Sequence, residues 1–256
     1  MRDFTLKQYN LYLSALIDNG YKFVRFDEYI EKNLDGNNFA LLRHDVDRRP
    51  KNSLNMAKLE HDLGVKATYY FRAKPCSYDE KIIKEIANLG HEIGYHYECL
   101  SDVKGDYDQA YALFEKSLNS LRVLVPVKTI SMHGRPLSPI DNRDMWKTAR
   151  GKELLNKHEL LGEIYFAIDY SHIAYIGDTG RNWNTKGSNL RDHVESEITV
   201  DLDSKDELLE YFKTVKNSVV FQVHPERWDD DLMSWSMQYA KDSFINVVKF
   251  GIRLLR

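Results

Sequence analysis

Short apolar runs alternate with helix-period segments along nearly the whole chain, and most of the runs end on ionisable residues. No other feature restricts the fold as much. Residues 39–42 are apolar and lead into Arg43-His44-Asp45-Val46-Asp47, which reads as a buried strand with charge at its C-terminal tip. Pro50 opens a helix whose stripe is Leu54, Ala57, Leu59 and Leu63, and Gly64 stops it. Residues 66–72 are β-rich. Residues 77–80 have the form of a capping box, and the helix behind them carries Ile82, Ile83, Ile86 and Leu89. The alternation continues with a strand over 93–98, a helix over 107–121, a strand over 128–133, a short helix near 142–148 and a strand over 163–169. Residues 204–207 form a second capping box that starts a helix, a strand follows over 219–224, and a last helix begins after Asp231. The stretch 170–200 is irregular and too long for a bare connection, so it reads as a functional loop or insertion.

Strands alternating with helices predict a parallel sheet covered by helices. With no Pro/Gly/Ser linker, the expectation is one α/β domain over residues 1–256. Residues 1–38 form a helical lead-in and 229–256 a C-terminal helix. A length of 256 residues suits a single strand–helix barrel, which typically takes about 250. Lys and Arg number 36 against 39 Asp and Glu, a net charge of −3 that supplies no general attraction to nucleic acid or anionic membrane. Cys76 and Cys99 are too few for a disulfide framework or a four-thiolate zinc site. The first residues contain no unbroken apolar stretch of signal-peptide type, and no run approaches a membrane span, so a soluble cytoplasmic protein is expected.

The ionisable strand ends narrow the chemistry. Asp45 and Asp47 end one strand, His96 and Glu98 another, His133 and Arg135 a third, Asp169 a fourth and His224 the last. In parallel α/β folds, C-terminal strand ends form the active-site face. Period-2 alternation puts Asp45 and Asp47 on one face with His44 on the other, and puts His96 and Glu98 together. Two carboxylates beside an imidazole can bind a divalent metal while one carboxylate serves as general base, which makes water a nucleophile near neutral pH. For a lone Asp, capping the helix at Pro50 is an alternative use. Arg135 could equally pair with a neighbouring acid. An imidazole ending a buried apolar strand, as His224 does, is expensive without a task.

At these residues the chain resembles the polysaccharide deacetylase family, the NodB-like carbohydrate esterases. Gly90-His91-Glu92-Ile93-Gly94-Tyr95-His96 looks like that family's second motif and residues 43–47 like its acidic first motif. Gly134-Arg135-Pro136 looks like its Arg-Pro motif, and residues 219–224 like its final strand. The resemblance implies a distorted (β/α)7 barrel and metal-assisted hydrolysis of an acetyl group on a sugar. It implies Asp45 as catalytic base, Asp47 and His96 as metal ligands, and Arg135 as the residue orienting the base. His224 would be the general acid, with Asp169 as the carboxylate that tunes it. Arg43, Tyr97, Arg181 and Trp183 are the candidate substrate contacts.

Two departures from the family pattern matter. Val46 separates aspartates that the family places side by side, and Leu100 stands where a second metal-binding His is expected. His133 is the first candidate to replace that ligand and Glu98 the second. An Asp/His/His set suits Zn²⁺, with Ni²⁺ or Co²⁺ as substitutes. The leading expectation is a metal-dependent deacetylase acting on an acetylated sugar or activated precursor in surface-glycan synthesis. A metal-independent cyclic amide hydrolase and a non-catalytic sugar-binding barrel are the alternatives. The final helix has apolar residues on more than one side, suited to packing on the barrel or at a subunit interface.

Overall fold

The computed structural model describes residues 2–32, 38–135, 138–183 and 194–254, with side chains described up to residue 247. In chain order the strands are β1 (Lys22–Val24), β2 (Phe39–Val46), β3 (Thr68–Phe71), β4 (Glu92–Tyr97), β5 (Thr129–Met132), β6 (Gly162–Glu163), β7 (Ile173–Gly177) and β8 (Ser218–Val223). The helices are α1 (Leu6–Asp18), α2 (Phe26–Lys32), α3 (Pro50–Asp62), α4 (Glu80–Asn88), α5 (Cys99–Asp102), α6 (Tyr107–Arg122), α7 (Ala149–Lys157), α8 (Ile164–Ala167), α9 (Lys205–Thr214) and α10 (Leu232–Leu254).

Every ladder is parallel, and the sheet runs β6-β5-β4-β3-β2-β8-β7. Short β1 pairs with the first half of β2, on the edge that β3 takes over further along. Among the described residues β6 and β7 form no ladder, so the sheet curls without closing. This is a distorted (β/α)7-type barrel, as expected. Strands buried on both faces explain why these segments are near-continuous apolar runs; all of β2 is buried, Arg43, His44 and Asp45 included.

Two local readings are corrected. Residues 163–169 are not a strand: Glu163 ends β6 and its carboxylate accepts the Tyr165 N–H, capping α8. The strand that pairs with β8 is β7, inside the stretch read as an irregular insertion. The N-terminal lead-in also contains β1 between its helices. Of the final helix, Phe244 and Val247 are exposed, while Val248, Phe250 and Ile252 lie outside the described side chains. Pro136 likewise lies outside the described residues.

Polar groups pin the sheet from its outer side. His44 points away from Asp45 and meets Glu60 of α3 at 2.7 Å, and the same carboxylate accepts the hydroxyls of Tyr9 and Tyr69. On the other side of the barrel wall Glu92 accepts Thr68, Thr129 and the Asp27 N–H. Gly94 sits between β3 and β5 because a Cβ there would lie 2.3 Å from the Tyr70 ring and 3.1 Å from the Thr129 carbonyl. The ring cannot swing aside, since its hydroxyl is bonded to Thr129 at 2.9 Å. Gly94→Ala is therefore expected to destabilise the protein by about 1–3 kcal/mol. Urea unfolding would read this as a lower midpoint at unchanged slope, and an unchanged midpoint would contradict it.

Candidate active site

Arg43, Asp45 and Gln222 meet because strand register makes them meet. Arg43 and Gln222 are opposed Cα partners of β2 and β8, and Asp45 is two residues beyond Arg43 on the same face. The Arg43 guanidinium donates to both carboxylate oxygens of Asp45, each at 2.8 Å, and Gln222 Nε2 adds a third bond at 2.8 Å. The remaining Arg43 donor reaches the hydroxyls of Tyr165 and Tyr175. Burial would raise the Asp45 carboxyl, but Arg43, aided by His96 and His224, brings it below its ordinary value.

Beyond the strand tip, Asp47 faces two imidazoles. Its Oδ1 lies 3.5 Å from His96 Nε2 and 3.3 Å from His133 Nε2, and this buried oxygen has no hydrogen-bond partner. The His96 Nδ1 lies 3.0 Å from the Ser131 carbonyl, which can only accept, so that nitrogen carries a proton and Nε2 is the ring nitrogen that faces Asp47. The His133 Nδ1 lies 3.0 Å from Glu98 Oε2, and Glu98 is held in turn by Arg72. Burial opposes charge on His133, yet Asp47 and Glu98 raise its imidazole to about 9. Leu100 is buried in the hydrophobic core, and Glu98 serves as the partner of His133. Among the described residues no group of three or more His, Cys, Asp or Glu side chains forms a ready-made metal cage.

His224 follows β8, with its Nδ1 2.6 Å from Asp178 Oδ1. Asp178 follows β7, the neighbouring strand, and is fully buried. Its carboxylate also accepts the His224 backbone N–H, the Trp228 indole and the Arg227 guanidinium. Burial and Arg227 press the His224 imidazole down, but Asp178 more than reverses them and leaves it above the ordinary histidine value.

Seven of the eleven candidate residues come together: the structure gathers Asp45, Asp47, His96, His133, His224 and Arg43 around one cavity of about 900 Å³, with Arg135 at its rim. Arg135 does not orient Asp45; it donates to Asp102 at 3.1 Å, and Arg43 is the guanidinium on Asp45. Asp169 is exposed and accepts the Ser171 N–H, so Asp178 is the acid that meets His224. Tyr97 is packed against Phe114 and Trp146 with no exposure, which removes it from substrate contact. Trp183 stacks on Phe4 at 5.0 Å inside the core. Arg181 does not itself line the cavity; it pairs at 2.8 Å with Asp242 of α10, which does. Gln222 was legible in principle, since it alternates with His224 along the strand. Asp178 had no such signal while its strand was read as loop.

No protein-family model matches the chain, and no curated protein matches it. Solved structures do. The chain is similar in structure to family 4 carbohydrate esterases. Against such an esterase from Streptococcus mutans the identity is 15%, covering 89% of this chain and 91% of that one, with a TM-score of 0.49. The family 4 esterase of Streptomyces lividans, solved with acetate, gives 13% identity, 74% and 81% coverage, and a TM-score of 0.44. A family 4 pseudoenzyme from Bacillus anthracis gives 12%, 83% and 60%, with a TM-score of 0.44. No helix among the described residues is long and apolar enough to cross a membrane.

Proposed function

We propose that this chain hydrolyses an acetyl group from a carbohydrate, with Asp47, His96 and His133 holding a divalent cation such as Zn²⁺. Asp45 is the general base and His224 the general acid. The observation that carries this reading is the pair of imidazoles turned on Asp47, each with its far nitrogen already committed to an acceptor. Donors around a tetrahedral ion at about 2.0–2.1 Å stand about 3.4 Å apart. The Asp47 oxygen stands 3.3 and 3.5 Å from the two ring nitrogens and lacks another partner. Glu98 behind His133 has the place of a carboxylate that orients a ligating imidazole.

A cation held there would supply Lewis-acid polarisation of the acyl oxygen and would lower the pKa of water towards about 7. Asp45, kept ionised by Arg43, faces the same cavity and would accept a proton from the attacking water. His224 faces the same cavity and carries the proton that the departing sugar nitrogen or oxygen needs as the bond to the acyl carbon breaks. Asp178 fixes that imidazole by its Nδ1, leaving Nε2 to deliver the proton. In a cytoplasmic setting the substrate would be a glycan precursor rather than finished polymer.

Metal content and acetate release, measured on one purified sample against a panel of acetylated sugars, test the proposal together. About one cation per chain with acetate released is expected, and absence of both overturns it. Asp47→Ala and His96→Ala should each strip the metal; full occupancy in both variants would sink the ligand assignment.

A further inference from the structure

The mouth of the cavity carries more positive charge than its acids balance. Arg48, Lys104, Arg135 and Lys241 line it, supplied by the β2–α3 connection, the α5–α6 connection, the segment after β5, and α10. Arg48 reaches Glu226 at 3.4 Å. Arg135 donates to Asp102, which also takes the Lys74 ammonium at 2.5 Å, and stands 3.9 Å from Glu98, which already serves Arg72 and His133, so each acid is shared. Among the described residues neither Lys104 nor Lys241 forms a close ion pair; Lys241 feels Glu226 and Asp242, but these acids already pair with Arg48 and Arg181. Deeper in, Asp45 is matched by Arg43 and Asp242 by Arg181, so those acids do not neutralise the rim. This surplus stands on a chain whose net charge is −3, and therefore belongs to the cavity rather than to the protein as a whole.

Lys104 adds a second, independent observation. Its φ is 55°, the left-handed region, at the end of α5 and just before Gly105. Helix ends of this kind ordinarily take Gly, because a side chain is strained in that conformation. The chain accepts that strain at a residue whose ammonium borders the cavity and has no acid of its own.

We infer that the carbohydrate taken by this cavity carries a phosphoryl group, as a sugar phosphate or a diphosphate-linked sugar, held by Lys104, Arg135 and Lys241. The inference rests on the proposed deacetylation site and adds the substrate's charge class. Cations drawn from separate elements suit a group bearing two or more charges on several oxygens better than a single carboxylate does. The cavity volume of about 900 Å³ leaves room for a sugar together with its phosphoryl substituent.

Calorimetric binding tests it without turnover, using N-acetylglucosamine, N-acetylglucosamine 1-phosphate and inorganic phosphate on the intact protein. The phosphorylated sugar is expected to bind at least about tenfold tighter than the neutral one, an advantage of about 1.4 kcal/mol that shrinks as salt rises. Lys104→Ala with Lys241→Ala should erase most of that advantage. Lys104→Gly is a check on folding, because it relieves the left-handed strain while removing the ammonium; it should weaken phosphosugar binding in a protein at least as stable. Equal affinity for neutral and phosphorylated sugar, inorganic phosphate binding as tightly as the phosphosugar, or an undiminished advantage in the double variant would each overturn the inference. A nucleoside diphosphate sugar and a lipid diphosphate sugar in detergent, compared in the same assay, identify the source by the tighter binder. Tight phosphosugar binding without acetate release would remove the deacetylation reading and leave the charge assignment standing. Acetate released from neutral and phosphorylated sugars alike, with no difference in affinity, would do the reverse.

Discussion

Asp45→Asn is expected to lower acetate release by about 10²–10⁴-fold while metal content stays unchanged. The carboxylate lies beside the Asp47, His96 and His133 group, with Oδ2 3.8 Å from His96 Nε2, where the proposed mechanism needs its base. The substitution has a structural cost as well. Asp45 is buried and accepts three bonds, two from Arg43 and one from Gln222. An amide presents an N–H to one of these donors and leaves the guanidinium without its counter-charge, and breaking a buried pair costs about 3–5 kcal/mol. Turnover must therefore be compared well below the variant's thermal transition, with circular dichroism confirming the fold. Undiminished turnover in a folded, metal-loaded variant would remove Asp45 as base.

Asp178→Asn should reduce kcat by about 10²–10⁴-fold, because the imidazole loses the partner that sets its tautomer and holds its charge. Its pH signature separates this from a merely structural effect. A general acid works while protonated, so activity falls as pH rises through its pKa. In the intact protein burial and Arg227 lower the His224 imidazole, and Asp178 raises it above the ordinary histidine value. Without Asp178 the two lowering influences remain, so the alkaline limb of the kcat profile should move to lower pH. A limb that stays in place would show that another group titrates there. Arg227 and Trp228 also bond to Asp178, which makes a thermal stability measurement on the same variant a necessary companion.

Much of the site could be read along the chain because its logic is local. On β2, alternation alone separates Asp45 from His44, and the structure sends the first into the cavity and the second to Glu60. His96, His133 and His224 each lie at or just past the end of an apolar run, where parallel strands open onto the functional face. Arg43 and Asp45 are two residues apart on one strand, so their pairing was available from period alone; the family pattern instead drew attention to Arg135. The aromatic candidates failed for a different reason. Tyr97 and Trp183 are suitable for sugar stacking in type, but residue type does not distinguish a cavity wall from a core, and both are core.

What the sequence determined by itself was the α/β alternation and which side chains ride together on each strand, since both follow from backbone periodicity among near neighbours. Tertiary structure decided the partners. His224 takes Asp178 rather than Asp169 because β7, hidden in an apparently irregular stretch, pairs with β8 and ends beside it. Asp47, just past β2, meets His133, just past β5, because the sheet curls and carries the ends of strands that are not neighbours to one rim. Such choices depend on which strands pair across the barrel, and strand pairing is set by packing between distant segments that local periodicity does not encode.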